Sequence, residues 1–216
     1  MIQAVIFDMD GTLIDTEKYY RIFWPKALAA FGYQMNDQQA LAMRSLGRPF
    51  AVTQLKAWFG DEIDYHAVRA KRKELMESFL DREGLQTKSG AHELLQALQK
   101  RRITTAVATA TDPERATKCL KEVGLYHYFD KLISATMVKE GKPSPDIYIY
   151  ACGQLGFAPD QCIAVEDSPN GVLSAYGAGC KVVMVPDQTE PEEELKECLY
   201  ARVDTLLDIE QILLTG

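Results

Sequence analysis

Little in this sequence commits it to a membrane, a disulfide framework or a nucleic acid. The first apolar run, Ala4-Val5-Ile6-Phe7, is far too short for a signal peptide, and no segment approaches the length of a membrane span. The five cysteines (Cys119, Cys152, Cys162, Cys180, Cys198) are odd in number and widely spaced, without a Cys-x-x-Cys. Buried reduced thiols are therefore expected, in a cytoplasmic protein. The three histidines (His66, His92, His127) are too scattered for a metal cluster. Basic residues form no stripe, and the triplet Lys71-Arg72-Lys73 reads as the solvated face of a helix. With 24 basic and 31 acidic residues the net charge is −7, which argues against a nucleic-acid partner. It does not argue against an anionic substrate, because binding answers to the local field of a site. Internal repeats and low-complexity linkers are absent, and no large apolar surface pattern demands a partner, so a monomer is expected.

What is present is an ordinary globular composition, 47% apolar and 25% charged, over 216 residues. That length suits one domain with a sizeable insertion. Gln3 to Phe7 reads as a strand buried on both faces. From about residue 15 to 86 the texture is helical. Ile22, Phe23, Leu28 and Phe31 mark one helix, stopped by Gly32; Leu41 and Leu46 fit a second. Val52, Leu55 and Phe59 fit a third, and Val68, Leu75, Met76 and Phe79 a fourth. Beyond that, strands and helices alternate. Strands are expected at Ile103–Ala108, Lys131–Ser134, Cys162–Val165 and Val182–Val185. Asp112-Pro113 and Ser144-Pro145-Asp146 carry helix-start signals, Gly124 and Gly156 can stop those helices, and Pro169–Ala178 and Leu206–Leu214 complete the set. The expected fold class is α/β: a parallel sheet core from residues 1–14 and 87–216, with an all-helical domain of residues 15–86 inserted after the first strand.

Four clusters carry chemistry. Asp8-Met9-Asp10-Gly11-Thr12 ends the first strand, where ligands bind in open α/β sheets. Two carboxylates so close repel each other unless a divalent cation joins them, and hard oxygen ligands suit magnesium. Gly11 lets the chain turn and offer N–H groups to an anion. Glu166-Asp167 also follows a buried strand, so Asp167 and Asp8 can share one metal; an acidic helix cap is the plainer reading of Asp167 alone. Lys142 precedes a Pro-started helix and can point into the same cleft, or lie in a surface loop. Thr109 ends a strand near a helix start, where a hydroxyl suits a phosphate oxygen.

Acid pair, hydroxyl, lysine and acid pair, in that order and each at a strand end or helix start, resemble the haloacid dehalogenase-like superfamily of phosphotransferases. The helical insertion after the first motif resembles the subgroup of beta-phosphoglucomutase and sugar-phosphate phosphatases. The resemblance implies a Rossmann-like core with a helical cap that closes over the cleft. It implies Mg²⁺ held by Asp8, the Asp10 carbonyl and Asp167, with Glu166 supporting the metal shell. Asp8 is then the nucleophile that becomes an aspartyl-phosphate, Asp10 the acid and later the base, Thr109 a phosphate ligand and Lys142 the counter-charge. Such counter-charge matters, since two unit charges about 4 Å apart interact by roughly 4 kcal/mol at an effective dielectric near 20. An acid at position 10 favours phosphoryl transfer over dehalogenation. Candidate substrate contacts are Gly11, Thr12, Ala110, Tyr20 and Arg48. Tyr19, Tyr20, Phe23 and Trp24 otherwise read as core of the cap. Tyr20 stands where the mutase has a histidine, and Gly47-Arg48-Pro49-Phe50 departs from its Gly-x-x-Arg; both favour hydrolysis.

The expectation is a Mg²⁺-dependent phosphatase of small phosphorylated metabolites, sugar or sugar-alcohol phosphates. Alternatives are a hexose-phosphate mutase, a non-catalytic protein that binds a phosphorylated ligand, and a phosphonate hydrolase with a Schiff-base lysine at Lys18 or Lys26.

Overall fold

The computed structural model describes residues 2–215. Six parallel strands form one sheet: β1 (Ala4–Phe7), β2 (Thr104–Thr109), β3 (Lys131–Ser134), β4 (Cys162–Glu166), β5 (Lys181–Met184) and β6 (Ala201–Arg202). Their spatial order is β3-β2-β1-β4-β5-β6. Between β1 and β2 lie α1 (Glu17–Ala29), α2 (Asp37–Ala42), α3 (Arg48–Phe59), α4 (Tyr65–Glu83) and α5 (Ala91–Lys100). The remaining helices are α6 (Pro113–Glu122), α7 (Asp146–Leu155), α8 (Pro169–Gly177), α9 (Glu193–Lys196) and α10 (Ile209–Thr215). The α/β class read from the sequence is the observed one.

Alternate residues of each strand supply two cores, because a strand points successive side chains to opposite faces. Val5, Phe7, Val107, Ile163 and Val165 pack under α5, α6 and α10. Ala4, Ile6, Ala106, Ala108 and Ala164 pack under α7 and α8. Burial on both faces explains the continuous apolar runs. The alanines on the second face leave room for the large Tyr148 ring of α7, which is fully buried. Each fully buried Val, Leu or Phe stabilises by roughly 1.5–3 kcal/mol.

The segment α1 to α4 has a core of its own, formed by Trp24, Leu28, Leu55, Ile63 and Val68. A smaller cluster joins Phe23 to Met76 and Leu80. Asn36 and Gln39 cap α2 reciprocally, and Asp64 caps α4. Several details differ from the sequence reading. Ile22 and Phe31 are exposed, and α1 ends at Ala29, before Phe31. Leu46 lies beyond α2. Pro145 is the N-cap of α7 rather than its first helical residue. The sequence reading omits α5, although Ala91, Leu94, Leu95 and Leu98 recur at helical spacing and are buried; β6 and α9 are too short to carry a periodic signal. A second basic triplet, Lys100-Arg101-Arg102, ends α5 at the surface. Cys198 is half-buried, while the other four cysteines are buried and all five are free thiols. Among the described residues, no helix is long and apolar enough to cross a membrane.

Candidate active site

The strand register decides which residues meet. Phe7 pairs with Val107 on one side and Val165 on the other. Asp8 therefore emerges between the ends of β2 and β4, and its N–H donates to the Val165 carbonyl at 2.9 Å. The chain turns outward in opposite directions from β1 and β4, so this is the crevice where α/β sheets bind ligands.

Asp8 is 2% exposed, and its Oδ1 accepts a short hydrogen bond from Lys142 Nζ. Lys142 is fully buried and also contacts Glu166 Oε1 at 2.6 Å and the Ala108 carbonyl at 3.0 Å. The Tyr148 hydroxyl donates to Glu166 Oε1 at 2.5 Å. Burial works against the lysine's charge, but Asp8 and Glu166 reverse that and hold its pKa above the usual range. Burial pushes the Asp8 carboxyl up, Lys142 opposes, and the charges of Glu166 and Asp10 add to the rise, to about 8. So Lys142 is not a surface-loop residue. It is a cation clamped between the nucleophile candidate and a second buried acid.

Glu166 owes its place to Gly171. A Cβ at residue 171 would sit 1.9 Å from Glu166 Oε2. Gly171→Ala should displace that carboxylate, loosen its grip on Lys142 and cost about 1–3 kcal/mol. Chemical denaturation would show a lower midpoint with an unchanged slope; an unchanged midpoint would mean that the carboxylate moves aside freely.

Asp10 is held by two hydroxyls. Thr16 donates to Oδ1 at 2.6 Å and Thr111 to Oδ2 at 2.8 Å. Gly11, at φ +88°, makes the turn between Asp10 and the rest of the loop, and a Cβ there would lie 2.5 Å from Asp167 Oδ2. Asp167 is fully buried and does not cap α8; Ser168 does, accepting from the Gly171 N–H at 3.3 Å. Burial, then Asp8 and Glu166, raise the Asp167 pKa well above the carboxylate range.

This crowding fits a hard cation. Ligand oxygens of Asp8, Glu166 and Asp167 lie within 4.8 Å of one another. Asp8 Oδ2, Glu166 Oε2 and both Asp167 oxygens are buried with no hydrogen-bond partner. Buried acceptors left bare are rare and call for an unseen partner. Oxygen-only donors of like charge suit Mg²⁺ or a similar divalent ion.

A pocket continuous with solvent opens above these groups. Asp8, Asp10, Thr109, Ala110, Tyr20 and Arg48 line it. Gly11 and Thr12 are buried and do not, and the Thr12 hydroxyl has no partner. Thr109 Oγ1 accepts from the Thr111 N–H at 3.1 Å. Lys18 pairs with Asp15 and Lys26 lies over Phe23, and neither lines the pocket. Tyr20 is half-buried, its phenol pushed up to about 12 by burial and then by the Asp10 charge.

Sequence reasoning missed several lining residues. Glu17 is buried, its Oε2 unpartnered, and burial followed by Asp167 and Asp10 raises its pKa. Only its place in Asp15-Thr16-Glu17 hinted at this. Thr111 stands two residues beyond Thr109, in the bend that leads from β2 to α6. Asp112 is not a side-chain cap for α6; its carboxylate joins Arg48 of α3 and Arg69 of α4. Arg72 does not belong to a solvated face. It stacks on Tyr20 and Trp24 and lines the pocket.

A profile of the haloacid dehalogenase-like hydrolases matches residues 2–179. The chain is 32% identical to the fructose-1-phosphate phosphatase of Escherichia coli (strain K12), over 84% of this chain and 95% of that one. It is 26% identical to the beta-phosphoglucomutase of Bacillus subtilis (strain 168), over 85% of this chain and 83% of that one. A hydrolase from Pseudomonas syringae shares the fold with a TM-score of 0.87 at 24% identity, covering 98% of this chain and 97% of that one. The chain belongs to the haloacid dehalogenase-like hydrolase family.

Proposed function

We propose that this chain is a magnesium-dependent phosphatase of small phosphorylated metabolites, of the sugar or sugar-alcohol class, acting through an aspartyl-phosphate on Asp8. The observation that carries it is the state of the Asp8 carboxylate. One oxygen is pinned by Lys142 while the other is bare, at the floor of a pocket shared with Asp10. A nucleophile so oriented needs little reorganisation to attack. The phosphatase relative supports the same reading.

Asp8 Oδ2 attacks phosphorus and the bond to the leaving oxygen breaks. Asp10, aimed by Thr16 and Thr111, gives that oxygen a proton. Water then attacks the phosphorus of the acyl phosphate, Asp10 takes its proton, and inorganic phosphate departs. Lys142 keeps the carboxylate in place and offsets the charge gathering there. Thr109 and Ala110 offer a hydroxyl and a backbone N–H beside the phosphate position. Asp8, Asp167 and the Asp10 carbonyl would hold Mg²⁺, with Glu166 Oε2 in support. When bound, the ion supplies charge neutralisation between phosphate and carboxylate. The helices α1 to α4 form the cap (residues 15–86) over a core of 1–14 and 87–216.

Chelation should abolish phosphate release from a sugar-phosphate panel, and Mg²⁺ should restore it. The raised carboxylates add a pH signature. With no cation, the folded state keeps protons that the unfolded chain has released, so stability falls as pH rises from the ordinary carboxylate range to about 8. A cation must displace those protons and binds better as they leave. The Mg²⁺-induced rise in melting temperature should therefore be larger near pH 8 than near pH 6. Chelator-insensitive release, or an equal thermal shift at both pH values, would refute the metal assignment.

A further inference from the structure

The pocket wall formed by the cap and the neighbouring α6 is more cationic than its acids offset. Arg48 from α3, Arg69, Arg72 and Lys73 from α4 and Arg115 from α6 all line it. Asp112 holds Arg48, and Arg69 at 2.9 Å. Glu77 holds Arg115 at 2.7 Å and Lys73 more loosely at 3.9 Å. Arg72 pairs with no carboxylate among the described residues, and its Nε is buried with no hydrogen-bond partner.

Its guanidinium lies 4.6 Å from the Tyr20 ring centre and 4.7 Å from that of Trp24. Stacking answers the flat faces of the guanidinium and leaves its edge donors unanswered. Burial depresses its pKa, Tyr20 opposes, and the positive charges of Arg69 and Arg115 push the same way as burial. A half-buried cation hemmed in by like charges, with a buried donor left bare, is destabilising unless an anion joins it. The site is also close to the chemistry, since Arg72, Tyr20, Asp8 and Asp10 line one pocket. The alcohol of a neutral sugar brings no anion to this place.

We infer that the preferred leaving group carries a second anionic group, a carboxylate or a phosphate, received by Arg72 with Arg69 beside it. The inference rests on the phosphatase reading of Asp8. A planar guanidinium suits both kinds of oxyanion, because its paired donors match two oxygens at once. Asp112 already displays this chemistry next door, one carboxylate spanning two guanidiniums. Arg69 and Arg72 are three residues apart on α4 and so project from one face.

The test is a matched-pair comparison on the Mg²⁺-loaded enzyme. Sorbitol 6-phosphate is set against 6-phosphogluconate, which adds a distal carboxylate. Fructose 1-phosphate is set against fructose 1,6-bisphosphate, which adds a distal phosphate, scored by initial release from the 1-position. In at least one arm, kcat/KM for the doubly charged member should be at least about tenfold higher, equivalent to about 1.4 kcal/mol of differential binding. The responding arm names the anion. Arg72→Gln should bring the ratio toward one, and Arg72→Lys should keep part of it. A wild-type ratio at or below one in both arms overturns the inference and leaves the phosphatase reading standing; that result needs no variant to fold. So does an unchanged ratio in a folded Arg72→Gln. Release from neither pair nor a broad panel sinks the phosphatase reading itself.

Discussion

Asp8→Asn should lower phosphate release by at least about a thousandfold, the scale seen when a covalent nucleophile is removed. The substitution keeps the shape of the side chain and its acceptor toward Lys142, so the site is perturbed chemically rather than sterically. Asp8 is buried beside Glu166 and Asp10, and burial first, then their charges, push its own carboxyl up to about 8 against the pull of Lys142. An amide there relieves repulsion, so the melting temperature in chelator should not fall. The thermal shift on adding Mg²⁺ should shrink, because one of the bare oxygens that would hold the ion becomes part of an amide. Phosphate assays on a panel, with melting curves beside them, check all three effects. Retained turnover in a well-folded Asp8→Asn would refute the aspartyl-phosphate route.

Lys142→Met carries the second large effect, on stability as well as rate. It removes the cation between Asp8 and Glu166 and leaves both carboxylates buried without it. Breaking a buried pair from one side costs about 3–5 kcal/mol, because the abandoned charge cannot return to water. The deficit should shrink as pH falls, since the carboxylates can then take up protons. Activity should drop at least about a hundredfold, through loss of charge stabilisation. The double variant Lys142→Met, Glu166→Gln separates the two roles. It removes the charge that Lys142 balanced from behind, so much of the stability should return while activity stays lost. Recovery of both together would make Lys142 a structural residue only.

The motif residues were legible because of where they stand. Asp8, Thr109 and Glu166-Asp167 each end an apolar strand, and parallel strands bring their carboxyl ends side by side. Lys142 was legible only as a member of the set, since its loop is irregular and nothing local shows that it is fully buried. The cap residues were read less well. Lys71-Arg72-Lys73 reads as solvent-facing, because a run of charges on a helix usually is. The structure turns Arg72 inward onto Tyr20 and Trp24, two aromatics that sequence logic had assigned to the cap's own packing. Asp112 misled in the opposite way: its place before Pro113 signals a helix cap, and its side chain serves two arginines from elsewhere in the chain.

By itself the sequence determined the class of fold, the family and the order of the chemical groups. Those follow from local rules: apolar runs that must be buried, turns that need glycine, and acids that local pattern places at strand ends. Only the tertiary structure decided that Lys142 is clamped between two acids and that Gly171 makes room for one of them. It alone brought Glu17 into the site and Arg72 to the pocket without a counter-ion. These facts depend on which distant segments meet, and on how much water is left between them. No spacing along the chain encodes either quantity directly.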